Sequence, residues 1–213
     1  MSKAAMAHLA QDGRMAALIA RVGPPRLGVM RGRSPYEALV RAIAHQQLHG
    51  RAAEAILGRF IQFAGDGTAF PQPGQIRALS DIQMRGVGFS AAKTAAIRAI
   101  ALHAEAGRLP SRRQAARLSD AVLIERLSEI RGVGRWTVEM LLIFTLGRQD
   151  VLPAADFGVA EGCRALYGLA ERPHPRDLAA RMQCFAPYRS YAAWYLWRAA
   201  DLARQDAAAI APV

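Results

Sequence analysis

A chain of 213 residues that is 52% hydrophobic can bury a proper core, as one domain or as two closely packed lobes. Its 28 lysine and arginine residues outnumber its 17 acidic residues, and the resulting formal charge of +11 favours a polyanionic partner. The two cysteines, Cys163 and Cys184, exclude a disulfide framework and a four-cysteine iron–sulfur cluster. The sequence shows no membrane-spanning stretch and no secretory signal, so we expect a cytoplasmic protein, nucleoid-associated if bacterial.

The first part of the chain predicts three amphipathic helices, because apolar residues recur there at helical spacing. The second helix begins with a favourable sequence, in which Ser34 is the N-cap, Pro35 the first helical residue and Glu37 the third. A Gln-Gln-Leu-His turn follows it. The three helices are expected at residues 4–22, from 35 to the turn at 46–49, and at 51–63.

The middle of the chain begins with glycines and prolines at residues 64–74, which predict a loop. The sequence Arg85-Gly-Val-Gly88 is echoed later in the chain. This first copy could form a phosphate-binding turn, but we interpret it as a packing turn. A helix at residues 90–106 and a connection at 109–114 are expected next. Ser119 and Asp120 then cap a short helix at residues 121–127.

A tight turn at Ile130–Gly134 is predicted to join this short helix to another that begins near Trp136. Two glycines suit such a hairpin, since glycine tolerates positive φ and the close approach of another backbone. The amides of Gly132, Val133 and Gly134 are expected to lie unpaired at the start of the second helix, where the helix dipole favours an anion. A DNA phosphate is the candidate ligand.

The sequence Pro153-Ala-Ala-Asp-Phe-Gly158 leads to a lone carboxylate, Asp156, at the start of a helix that extends to about Tyr167. An ordinary N-cap also explains an aspartate at this position. Further helices are expected at residues 178–182 and 188–204. No segment shows sustained strand alternation, so the expected fold is all-α.

The hairpin, the Gly-Arg-Trp-Thr helix start and the Leu-Pro-x-x-Asp-apolar-Gly sequence occur together at a characteristic separation. In this combination the chain resembles the helix-hairpin-helix DNA glycosylases, in particular the 3-methyladenine DNA glycosylase II branch. The Gln-Gln turn and Pro187-Tyr-Arg-Ser190 extend the resemblance over about residues 34–204. It implies a single two-lobed helical domain with a cleft between the lobes, one lobe at about 35–120 and the other formed by 1–34 and 121–213.

By this resemblance Asp156 is the catalytic residue of a DNA glycosylase of base excision repair. Breaking the C1′–N bond builds positive charge on the sugar, and a fixed carboxylate can stabilise that state or orient water. Members of the family often carry two adjacent acids here, whereas Ala155 stands in the first position of this chain. The family's catalytic residue is the second of the two, so we expect this departure to be tolerated.

Trp136 occupies the position where bifunctional relatives place a Schiff-base lysine. We therefore expect a monofunctional enzyme that uses water, lacks lyase activity and leaves an abasic site. The base pocket is expected to attract a cationic alkylated purine, such as 3-methyladenine or 7-methylguanine, by stacking and cation–π contact. Its expected residues are Trp136, Phe157, Met140 and Phe185. Trp136 and Met140 can also be explained as core residues one helical turn apart.

The resemblance also implies contacts with double-stranded DNA that contains damaged bases, made by a monomer without a membrane partner. Gln47 is expected to fill the gap left by the everted nucleotide, and His49 to contact the minor groove. Paired glutamines can also simply cap a helix. The other expected DNA contacts are Gly132, Val133, Gly134, Arg135 and Thr137.

No cofactor is expected to be required. By likeness to the family, the backbone carbonyls of Ser128, Ile130 and Val133 could hold Na⁺ or K⁺ in the hairpin. Two alternative functions remain open: a non-catalytic helix-hairpin-helix module that binds DNA, and a glycosylase for another lesion such as hypoxanthine or ethenoadenine. The lesion range depends on the width of the pocket, which rotamers and backbone placement decide.

Overall fold

The computed structural model describes residues 2–46, 50–65, 67 and 69–210. Over these ranges the chain forms helices and turns and no strand, which confirms the predicted all-α fold, and none of these helices is long and apolar enough to cross a membrane. The elements are α1 (Ser2–Leu9), α2 (Gly13–Val22), α3 (Pro35–His45), α4 (Gly50–Ala64), α5 (Pro73–Ala78), α6 (Asp81–Val87), α7 (Ala91–Glu105), α8 (Arg112–Ala115), α9 (Asp120–Ser128), α10 (Arg135–Leu141) followed by a π-helical turn (Leu142–Leu146), α11 (Phe157–Tyr167), α12 (Pro175–Arg181) followed by a 3₁₀ turn (Met182–Phe185), and α13 (Arg189–Ile210).

Serine residues set the start of several helices. In each case the hydroxyl accepts a hydrogen bond from the backbone N–H three residues later, which satisfies one of the donors that a helix start leaves unpaired. The caps expected at Ser34 and Ser119 are confirmed. The capping residues are Ser34, Ser80, Ser90, Ser111 and Ser119.

The N-terminal segment expected as one helix over residues 4–22 is two helices, α1 and α2. Asp12 separates them, because its carboxylate accepts a 2.8 Å hydrogen bond from the N–H of Met15 and thereby starts α2. Short helices also occupy three stretches that lacked a helical prediction: α5 begins at the end of the expected loop, α6 contains Arg85-Gly-Val of the expected packing turn and has Gly88 as its C-cap, and α8 begins in the expected connection. Local capping therefore divides the chain more finely than apolar periodicity indicates.

The chain divides into two units, residues 1–29 with 147–213, and residues 30–146. This division corrects the expected lobe boundaries, since residues 30–34 and 121–146 belong with 35–120 rather than with the termini. The reason is burial of an apolar helix face, because α10 packs against α3 and α9 and encloses Val138 and Leu141. The hairpin is thus part of the central unit of the chain.

In the central unit, α7 packs against α3, α5 and α6. The apolar side chains at these contacts are fully buried, so α7 forms the centre of this unit. The buried residues include Leu39, Ile43, Ile76, Met84, Ile97 and Ile100.

The unit formed by the two termini is built on a close contact between α11 and α13. A Cβ atom at Gly162 would lie 1.8 Å from the carbonyl oxygen of Leu196, so only glycine allows this approach. The hydroxyl of Tyr195 donates a 2.9 Å hydrogen bond to the carbonyl of Gly23 and so ties α13 to the end of α2. This packing fixes the position of Trp197 relative to α11.

Candidate functional site

The hairpin is a tight turn between α9 and α10. The N–H of Val133 donates a 2.9 Å hydrogen bond to the carbonyl of Ile130, which closes the turn. This bond corrects the expectation that the amide of Val133 is unpaired. Gly134 is the N-cap of α10 in an extended conformation, and among the described residues neither its N–H nor that of Gly132 has a backbone acceptor.

Gly132 is required in this turn for two reasons. Its φ of +83° lies in the left-handed region, which strains other residues. In addition, a Cβ atom on it would lie 2.4 Å from the Cβ of Ala96, a residue of α7. The turn is therefore seated directly on α7.

Thr137, the third residue of α10, is only 1% exposed. Its hydroxyl accepts a 3.1 Å hydrogen bond from the side-chain amide of Gln46, and its own N–H donates to the carbonyl of Gly134. Thr137 is therefore enclosed by protein, which corrects the expectation that it contacts DNA. It joins the hairpin helix to the end of α3 instead.

Gln46 is the C-cap of α3. It is the first residue of the Gln-Gln-Leu-His turn and the only one of the four that the structure describes. Gln47 and His49 lie outside the described residues, so their expected contacts with DNA stay predictions. The side-chain amide of the preceding residue, Gln46, donates its hydrogen bond to Thr137.

Arg135 and Trp136 begin α10. The guanidinium of Arg135 forms a 2.9 Å ion pair with Glu139, yet the arginine side chain remains 71% exposed and the glutamate side chain is buried. The other N–H groups of this guanidinium can thus reach an anion in solvent. Trp136 and Met140 are half-buried and lie one turn apart on the same helix.

Asp156 is the N-cap of α11, as expected. Its Oδ1 accepts two 2.8 Å hydrogen bonds, one from the N–H of Val159 and one from the indole N–H of Trp197. A carboxylate at a helix N-terminus is stabilised by the helix dipole and by the first amides of the helix. Two donors on one oxygen also restrict how the carboxylate can turn.

Trp197 is a candidate functional residue that sequence reasoning missed, since the sequence places it only within the helix expected at residues 188–204. A Cβ atom at Gly158 would lie 2.8 Å from Cδ1 of Trp197, so the glycine of the Asp-apolar-Gly sequence makes room for the indole. A glycine two residues after a candidate catalytic acid was the one signal in the sequence, and it did not identify the partner.

Replacing Trp197 with phenylalanine is expected to lower the rate of base release in single-turnover assays. The variant keeps an aromatic ring but loses the N–H bound to Asp156. Hydrogen bonds to charged groups contribute about 1.5–3 kcal/mol, which corresponds to a roughly tenfold to hundredfold lower rate. Trp194→Phe is the matched control, because Trp194 lies one turn earlier in α13 and contacts Tyr195 and Arg198. Equal rates for the two variants would contradict this role of Trp197.

The Pro-Tyr-Arg-Ser sequence holds the segment that leads towards Asp156. Arg189 binds both carboxylate oxygens of Asp150 at 2.7 and 2.8 Å, and this hydrogen bonding lowers the pKa of the Asp150 carboxyl. Ser190 is buried, accepts a 2.9 Å hydrogen bond from the N–H of Val151 and donates to the carbonyl of Arg148 at 2.8 Å. Both residues therefore anchor residues 148–151 to the start of α13.

The two phenylalanines expected in the base pocket have different surroundings. Phe157 is 68% exposed beside Asp156, and the guanidinium carbon of Arg172 lies 4.3 Å from the centre of its ring. Phe185 is 2% exposed and belongs to the hydrophobic core of its unit. This burial corrects the expectation that Phe185 lines the pocket, because a base would have to displace core side chains to touch it.

Comparison with known proteins finds a family match and close relatives for the chain that carries this hairpin and this aspartate. Residues 40–187 match the HhH-GPD superfamily of base excision DNA repair proteins. The chain is 44% identical to DNA-3-methyladenine glycosylase 1 of Schizosaccharomyces pombe over 190 residues, which is 89% of this chain and 82% of the relative. It is 36% identical over 204 residues to the alkylbase DNA glycosidase-like protein mag2 of the same organism, with 95% and 96% of the two chains covered. The solved structure of S. pombe 3-methyladenine DNA glycosylase (Mag1) in complex with abasic DNA matches with a TM-score of 0.87 and 44% identity over 91% of this chain and 95% of that chain.

Proposed function

We propose that this chain, which belongs to the HhH-GPD superfamily of base excision DNA repair proteins, is a monofunctional glycosylase of the type II branch that hydrolyses the N-glycosidic bond of alkylated purines. At the coarser level the chain is a DNA-3-methyladenine glycosylase, a hydrolase whose partner is DNA. The finer proposals concern its chemistry, its contacts and its product. We also propose that it acts in the cytoplasm.

The observation that carries the proposal is the setting of Asp156, whose Oδ1 receives hydrogen bonds from Val159 and Trp197. A carboxylate held in this way presents a negative charge in a fixed direction. Positive charge develops on the sugar as the C1′–N bond breaks, and a preorganised charge of opposite sign lowers that barrier. A purine methylated on N3 or N7 is already cationic and leaves readily, so the proposed reaction needs little general-acid catalysis.

The proposed base contacts are Trp136, Met140 and Phe157. The proposal for Phe157 is supported by the guanidinium of Arg172, which lies over the exposed ring in the arrangement that a cationic base would adopt. Phe185 is left out of this proposal because it is buried in the core.

The proposed DNA contacts of the hairpin are the amides of Gly132 and Gly134 and the exposed guanidinium of Arg135. These groups offer two donors and a positive charge in neighbouring positions, which suits a phosphate oxygen. Gln47 and His49 remain proposed contacts of the adjoining turn. The excess of basic residues adds a sequence-independent attraction to DNA.

The resemblance implies a monovalent cation at the carbonyls of Ser128, Ile130 and Val133. Ile130 accepts the hydrogen bond that closes the turn, and no backbone donor among the described residues binds the carbonyls of Ser128 or Val133. Each oxygen thus keeps a lone pair, and we propose that the three can hold Na⁺ or K⁺. The ion would add positive charge near the hairpin, while no cofactor or iron–sulfur cluster is proposed.

We propose that the enzyme lacks lyase activity because neither of its lysines is placed to attack the sugar. The chain contains only Lys3 and Lys93, and Trp136 stands where the family places a reactive amine. Lys3 is exposed on α1, and the ammonium of Lys93 is bound to a backbone carbonyl. Water is therefore the proposed nucleophile.

Duplex DNA methylated at random tests these proposals. We expect free 3-methyladenine and 7-methylguanine in solution, abasic strands that break only after alkali, and no covalent complex on borohydride reduction. Strand cleavage before alkali together with a trapped complex would overturn the monofunctional assignment. Salt-sensitive DNA binding without release of any alkylated or deaminated purine would instead indicate a binding module.

A further inference from the structure

Lys93 lies on the face of α7 that also carries Ala96, three residues further along the helix. It is one of only two lysines among the 28 lysine and arginine residues, so a lysine at this position is unusual in this chain. The side chain is half-buried, and burial lowers the pKa of its amine. A buried amine needs a compensating contact inside the protein.

That contact is the carbonyl of Ala44, which accepts a 2.7 Å hydrogen bond from Nζ of Lys93. Ala44 is fully buried and is the last residue but one of α3. Carbonyls in the last turn of a helix lack partners within the helix, and a positive group there also complements the helix dipole. Lys93 thus fixes the carboxyl end of α3 to α7.

Gln46 lies two residues beyond Ala44 and connects this end of α3 to the hairpin. Its side-chain amide donates to the buried hydroxyl of Thr137 in α10. The hairpin turn itself rests on α7, because Gly132 lies against Ala96 too closely for any side chain. One face of α7 therefore holds both elements, the turn through Ala96 and the end of α3 through Lys93.

We propose that Lys93 is a positioning residue for base eversion, which holds the carboxyl end of α3 and Gln46 in register with the DNA-binding hairpin. This inference rests on the proposed function. The two elements must act on the same stretch of duplex, since the hairpin binds its backbone and the residue after Gln46 is the expected wedge. Lys93 contacts neither DNA nor the reacting atoms in this role, and its effect is on the cost of extruding a paired base.

Single-turnover excision of one 7-methylguanine, placed opposite cytosine or opposite an abasic-site analogue, tests the proposal. Lys93→Met keeps the length and apolar character of the stem but removes the ammonium group. We expect at least a tenfold lower rate on the paired lesion and less than a threefold change on the unpaired lesion, because an unpaired base costs less to extrude. Lys93→Arg restores a donor and is expected to recover most of the paired rate.

Lys3→Met is the matched control, since it removes the same charge from an exposed position on α1. We expect it to match the unaltered chain on both substrates. An equal loss on paired and unpaired lesions by Lys93→Met would indicate a general structural role and would overturn the proposal, as would unchanged rates on both. Failure of the unaltered chain to release any base from methylated DNA would refute the proposed function instead.

Discussion

Asp156→Asn is expected to lower the single-turnover rate of base release from methylated DNA by about a hundredfold or more, because it removes the charge that faces the developing cation. Asparagine keeps the shape of the side chain, and its oxygen can still accept the hydrogen bonds from Val159 and Trp197. The cap of α11 should therefore survive, and the melting temperature should change little. The lower rate would then measure the effect of the carboxylate charge alone.

Asp177→Asn provides the control for this experiment, since Asp177 is an exposed acid in the first turn of α12. The control removes the same charge from the same unit of the chain and should leave the rate unchanged. A rate for Asp156→Asn within threefold of the unaltered chain would refute the electrostatic role of Asp156. Salt-dependent binding to undamaged DNA should be the same for both variants.

Gly162→Ala is expected to destabilise the protein by about 3 kcal/mol, at the upper end of the range for inserting a methyl group into a closely packed contact. The added Cβ would lie 1.8 Å from the carbonyl oxygen of Leu196, and a backbone atom cannot rotate away as a side chain can. Helices α11 and α13 would have to separate. For a chain of this size the melting temperature should fall by roughly 6–12 °C.

Gly58→Ala makes the same chemical change at an exposed position of α4 where nothing lies within 4 Å of the new Cβ. Because alanine favours a helix more than glycine, this control should stabilise the protein by up to about 1 kcal/mol. Thermal and urea unfolding of the two variants measure the difference. Similar stabilities would show that the contact between α11 and α13 relaxes freely.

Features that depend on neighbouring residues were predicted correctly. The caps at Ser34, Ser119 and Asp156 each need a side-chain oxygen and an amide three residues away, so a few consecutive residues are enough to specify them. The same reasoning located the glycine turn of the hairpin. It did not show that the amide of Val133 is consumed within the turn, because two turn geometries with different pairings suit the same glycines.

Burial was harder to predict because it depends on elements that are distant in the chain. Phe185 and Thr137 both lie in sequences that resemble functional elements, yet both are enclosed by protein. An aromatic ring and a threonine are equally acceptable in a core and at a ligand. The packing of α12 and α13 decides the role of Phe185. The packing of α10 on α3 decides the role of Thr137.

The sequence by itself determined the all-α fold, the hairpin, the capping aspartate and the resemblance to a DNA glycosylase, since these depend on local hydrogen bonding, helical periodicity and motif spacing. Only the tertiary structure decided which groups hold the site in place. Trp197 reaches Asp156 across 41 residues, Lys93 reaches Ala44 across 49, and Gln46 reaches Thr137 across 91. Each pair meets because helices pack through buried apolar faces and close glycine contacts, and no local pattern in the sequence records which faces will meet.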